Sequence, residues 1–128
     1  MTSTQIRNHE VMIEFWASDV ARDLEHLASL PPSWMLRLNP RNDLRVHGLM
    51  LGDTRQRLEA ARGLDVSGRR AAFDAYIEAA NRSREIFEEG KDGGVVGWVG
   101  TTLLEPWDER VEKAEQLADD ALLRWCAE

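Results

Sequence analysis

A chain of 128 residues with a formal charge of -7 and a single cysteine fits one domain, large enough to bury roughly two thirds of its unfolded surface without a metal or disulfide staple. Cys126 has no partner for an intrachain bridge, no basic-then-apolar leader precedes the first helical pattern, and no apolar run nears the roughly 20 residues that span a bilayer; together these predict a cytoplasmic chain with no membrane association. Acids balance bases in residues 1–64, so the negative excess lies in residues 65–128, which disfavours nucleic acid and suits a basic protein partner.

Helical periodicity appears four times and predicts a mainly all-α, four-helix bundle-like single domain over residues 1–128. The first helix, about 4–30, places Ile6, His9, Ile13, Trp16, Val20, Leu24 and Leu27 on one stripe, and it stops before Pro31-Pro32. The second, about 40–62, starts at Asn39-Pro40, carries Leu44, His47, Leu51, Leu58 and Ala61 on its seam, and ends at Gly63. The third, about 67–89, is capped by Ser67, runs through Phe73, Tyr76, Ile77, Ala80, Arg84 and Phe87, and ends at Gly90. The fourth, about 105–126, takes Glu105 as cap with Pro106 at the first helical position and buries Trp107, Val111, Ala114, Ala118, Leu122 and Trp125.

Two longer connections interrupt this helical account. Trp34, Leu36 and Leu38 alternate in strand fashion, and the stretch 95–99 is rich in β-formers, so a minor two-stranded ribbon is one reading. The other is a pair of irregular loops that plug the bundle ends with Trp34 and Trp98. Gly94, Gly97 and Gly100 recur at every third residue, which matches neither the dinucleotide fingerprint nor the phosphate loop.

Chemistry is sparse. His9, His47 and Arg84 fall inside apolar seams, where a charge needs a partner or a route to water. Asp19, Asp23 and His26 share one flank of the first helix but make an incomplete ligand set, so no metal and no other cofactor is expected. No serine lies in a nucleophile elbow, and Cys126 sits where a helix end frays, so no catalytic residue is assigned and an enzyme is disfavoured. Gly48 and Gly52 share a face beside Arg41, Arg45, Arg55 and Arg62; that face could receive a neighbouring helix of the same chain or a second molecule.

The expectation that follows is a non-enzymatic, acidic helical protein that binds a protein partner, of inhibitor, immunity, adaptor or chaperone type. The alternative is a small-ligand or anion-binding domain or enzyme with a pocket at a bundle end under the 91–102 loop. Trp98, Arg84, His47 and Trp34 are the candidate binding residues for either. Homo-oligomerisation through the Gly48/Gly52 face is compatible with both.

Overall fold

The structure, a computed structural model, describes residues 1–92 and 106–128. Among these residues every regular element is a helix: α1 Ser3–Ser29, α2 Leu38–Ala61, α3 Ser67–Asp92 and α4 Trp107–Cys126.

Local chemistry explains most of the boundaries. Thr2 and Gln5 make a reciprocal capping box, the Thr2 hydroxyl accepting from the Gln5 N–H at 3.1 Å and the Gln5 side chain accepting from the Thr2 N–H at 2.8 Å. Pro31 then pushes Leu30 into extended backbone and ends α1. At the end of α2, Gly63 adopts φ +74. There the Leu64 N–H reaches the Glu59 carbonyl at 3.0 Å and the Gly63 N–H reaches Ala60 at 3.1 Å, the bond pair of a Schellman stop.

Three boundaries differ from the sequence reading. The turn at residues 34–37 runs directly into α2, and Pro40 sits at the third helical position, where its missing N–H still costs no intrahelical bond. Gly90 does not end α3, which continues to Asp92; the glycine instead admits the Trp107 indole, since a Cβ there would lie 1.9 Å from the ring. The fourth helix begins at Trp107 with Pro106 as its N-cap, while Glu105 lies outside the described residues.

The ribbon is not supported. Residues 34–37 form a helical turn in which the Arg37 N–H donates to the Ser33 carbonyl at 2.9 Å, so this backbone offers no ladder. Its proposed partner, residues 95–99, lies outside the described residues. Trp34 instead plugs one end of the bundle. Its ring packs edge-on against Phe87 and Trp107, and its indole N–H donates to Asp108 at 2.9 Å.

The main packing follows the order α1, α2, α4, α3. Antiparallel hairpins α1–α2 and α3–α4 are joined by α2 against α4, and this central pair runs parallel: Arg41 meets Glu112, Gly48 meets Leu122 and Gly52 meets Trp125. Leu44, Ala118 and Leu122 are wholly enclosed at the centre, with Val20, Leu27, Leu51, Tyr76 and Trp125 around them. Each large apolar side chain so enclosed contributes about 1.5–3 kcal/mol. A smaller cluster of Ile86, Val111 and Ala114 lies under the Trp34 end.

The Gly48/Gly52 question is resolved within the chain. A Cβ on Gly48 would stand 2.8 Å from the Leu122 side chain, and one on Gly52 would stand 2.6 Å from the Trp125 ring. At these glycines the face is therefore filled by α4.

Candidate functional site

Polar chemistry concentrates along the α2–α4 seam. Arg37, the N-cap of α2, and Arg41 and Arg45 on α2 stand one turn apart, and Glu112, Glu115 and Asp119 follow three- and four-residue spacing on α4. Because the two helices run parallel, the charges meet in ascending order. Arg41, only 3% exposed, clasps Glu112 through both terminal nitrogens at 2.9 and 2.8 Å and reaches Asp119 through Nε at 2.7 Å. Arg45 bonds Glu115 at 2.6 Å and approaches Asp119 at 3.4 Å. Arg37 lies 3.6 Å from Glu112 and donates to the Leu30 carbonyl at 2.9 Å, and the Ser83 hydroxyl of α3 donates to Glu115.

Burial and pairing pull these groups in opposite directions. Desolvation alone would lower Arg41, but hydrogen bonds and charge from Glu112 and Asp119 outweigh it and hold the guanidinium above its ordinary value. Desolvation raises Asp119 despite the attraction of Arg41 and Arg45. Burial likewise raises the Tyr76 hydroxyl. The ladder sets three cations against three carboxylates, although Nε of Arg37 and of Arg45 has no hydrogen-bond partner.

His47 gains a defined polar setting between α1 and α2. Its Nδ1 lies 2.6 Å from Asp23, its Nε2 lies 3.9 Å from Asp19, and its ring stacks on Trp16 at 5.7 Å. The carboxylates expected to share a flank with His26 thus turn toward α2 instead. His26 stays exposed, and no group of three or more ligating side chains among the described residues could hold a metal ion.

The other candidates separate. Arg84 is exposed on α3 and bonds its neighbour Asn81, Trp34 belongs to the aromatic plug, and Trp98 lies outside the described residues. His47 and Arg84 are not brought together, and neither lines the cavities described next. His9 bonds the Gln5 carbonyl at 2.7 Å within its own helix.

Three surface features among the described residues bear on function. A groove of about 460 Å³ runs between α3 and α4 over Ala75, Ala79 and Ala114. A cavity of about 340 Å³ opens beside the charge ladder, where Arg37, Arg41 and Asp119 meet Leu24 and Leu27 of α1. Finally, Val11, Met12 and Phe15 of α1 and Val46 and Met50 of α2 are exposed large apolar side chains. Met12 and Phe15 flank the same side of α1 as Asp19, which faces His47, and Met50 lies one turn beyond His47 on α2.

Sequence reasoning missed the ladder although its signal was present. An arginine every fourth residue beside the glycines of α2, and a carboxylate stripe beside the alanines of α4, are matched patterns; pairing them requires knowing that the two helices touch. Comparisons of the chain with protein-family models, curated proteins and solved structures return no match.

Proposed function

We propose that the chain is a non-enzymatic helical protein that binds a protein partner through the outer flank of the α1–α2 hairpin. The observation that carries this reading is the exposed set Val11, Phe15, Val46 and Met50, with Phe15 and Val11 each 55% exposed. Such a grouping of large apolar side chains marks interaction surfaces more often than ordinary surface. Phe15 packs its ring edge-on against Trp16 at 4.9 Å, and Trp16 stacks on His47, so the exposed ring stands on a rigid aromatic base. Glu14 and Asp43 are exposed on these two helices, Asp53 is paired with Arg57 at 2.9 Å, and Arg22 is engaged by Asp19 at 2.6 Å. A basic partner is favoured by the chain's net charge of -7 rather than by this flank.

The test is capture from the native cell with wild type and with Phe15→Asp as baits. The expected result is a partner retained by wild type and lost by the variant, with equal thermal stability. The same partners on both baits, at equal stability, would overturn the assignment.

A second reading, a small anionic ligand, has one observation in its favour: Arg37 lines the cavity beside the ladder, and its Nε has no hydrogen-bond partner. A rise in melting temperature with phosphate or carboxylate compounds that is abolished by Arg37→Met supports this reading over the first.

A further inference from the structure

We infer that the α3–α4 groove is a second docking surface, which takes one amphipathic helix of a partner protein with acidic side chains near one end. The groove spans Ala75 to Ile86 on α3 and Arg110 to Leu117 on α4. At 1.5 Å of rise per residue its longer side measures about 16 Å, or three helical turns. Ala75, Ala79 and Ala114 make a floor of small side chains, and Ile86 and Leu117 make apolar walls; Leu117 stands 64% exposed. This shape receives leucine-sized anchors spaced at three and four residues, the pattern by which a helix seats in a groove.

Charge selects the occupant. The lining holds Arg82, Arg110 and Lys113 against one acid, Glu78, on a chain whose net charge is -7. The charged side chains of the lining are thus mostly basic, with Arg110 paired to Glu89 and Lys113 also engaged. Their charge is also polarised along the groove, because α3 and α4 are antiparallel and the Trp107 indole donates to the Ile86 carbonyl at 3.1 Å. Arg82 and Ile86 thus lie level with Arg110 and Lys113 at one end, whereas Ala75 and Glu78 lie level with Leu117 at the other. A helix seated with its carboxylates at the basic end meets the side-chain charges favourably. Arg110 also lies 3.4 Å from the exposed Glu89, a surface pair that a bound carboxylate can replace at little cost.

The inference stands apart from the α1–α2 surface, and its test does not depend on that assignment. Two fluorescein-labelled helical peptides of about 15 residues share one leucine stripe and carry either glutamates or lysines in the last turn. Fluorescence anisotropy at low salt is expected to show the glutamate peptide binding at least tenfold more tightly than the lysine peptide, with the preference fading at high salt. Arg82→Glu with Lys113→Glu should reverse the preference, and Ala75→Trp should weaken both peptides by filling the groove. All three positions are exposed, so these variants keep the fold, which circular dichroism checks. Equal affinity for the two peptides, no binding of either, or binding indifferent to Ala75→Trp overturns the proposal. So does light scattering that shows a dimer dissolved by Ala75→Trp, since the occupant is then a second copy of the chain.

Discussion

Arg41 and Glu112 form a bidentate ion pair across the parallel α2–α4 seam, with side chains 3% and 5% exposed. Neither group can return to water without separating the helices. Such a pair contributes little beyond what a well-packed apolar pair would, but losing one partner strands a buried charge. Arg41→Met is therefore expected to lower unfolding free energy by about 3–5 kcal/mol. Glu112→Gln added to that background should cost much less than it does in wild type, with a coupling energy above about 1.5 kcal/mol. Urea denaturation of the four proteins measures the cycle, and additive effects would show that the two residues act independently.

Asp119 links the same ladder to pH. Burial, only partly offset by Arg41 and Arg45, holds this carboxyl above its ordinary value of 3.8. The folded chain then binds that proton more readily than the unfolded chain, so the contribution is full below 3.8 and declines as pH rises through the raised folded value. Asp119→Asn removes this dependence. The stability of wild type minus that of the variant is expected to fall as pH rises through that window, read from urea titrations at a series of pH values. A difference that grows with pH would contradict the direction of the shift.

The glycines of α2 separate close approach from helix propensity. Gly52→Ala gains about 1 kcal/mol of propensity but places a methyl group 2.6 Å from the enclosed Trp125 ring. Overpacking of this kind costs about 1–3 kcal/mol, so a net loss is expected. Gly68→Ala, with nothing within 4 Å of its new Cβ, should be neutral or stabilising. Melting temperatures of the two variants decide the comparison.

The sequence places Cys126 in a fraying helix end. It is instead buried, and burial raises its thiol above the ordinary value. Arg69 of α3 holds the end of α4 by donating to the Trp125 and Ala127 carbonyls while it pairs with Glu59 of α2. Alkylation of native protein by iodoacetamide is expected to be at least roughly 100-fold slower than in denaturant. Arg69→Ala should speed it by loosening the last turn. Equal rates in native wild type and Arg69→Ala would show that the clamp does not hold this end.

Phe15 offers the converse case. Replacing an exposed ring by aspartate should leave stability within about 0.5 kcal/mol of wild type, which is why Phe15→Asp can report on binding rather than folding. A larger loss in thermal unfolding would mean that the Phe15–Trp16 contact supports the core.

Much of the helical organisation was legible in the sequence because its determinants are local. The apolar stripe of α1, the Pro31-Pro32 stop and the Gly63 stop each depend on residues within about two turns of one another. Gly90 shows the limit: the sequence signals a helix end, whereas the structure uses the missing side chain to seat Trp107 from a different helix. The candidate binding residues show the same limit. His47 and Arg84 share a seam pattern but lie on α2 and α3, which the packing does not bring together at those positions, and His47 turns to Asp23 of α1 instead.

By itself, then, the sequence determined four amphipathic helices, their approximate ends, the aromatic character of residue 34 and the acidic balance of the second half. Only the tertiary structure decided that α2 and α4 lie side by side and parallel. That single choice of neighbour pairs Arg41 with Glu112, fills the Gly48/Gly52 face with Leu122 and Trp125, and leaves the outer flanks of α1 and α3 to solvent. Periodicity states which face of a helix is buried but not against what. Helix pairing is set by the fit of small residues to large ones and of cations to carboxylates across more than 70 residues of chain, and no local pattern carries that information.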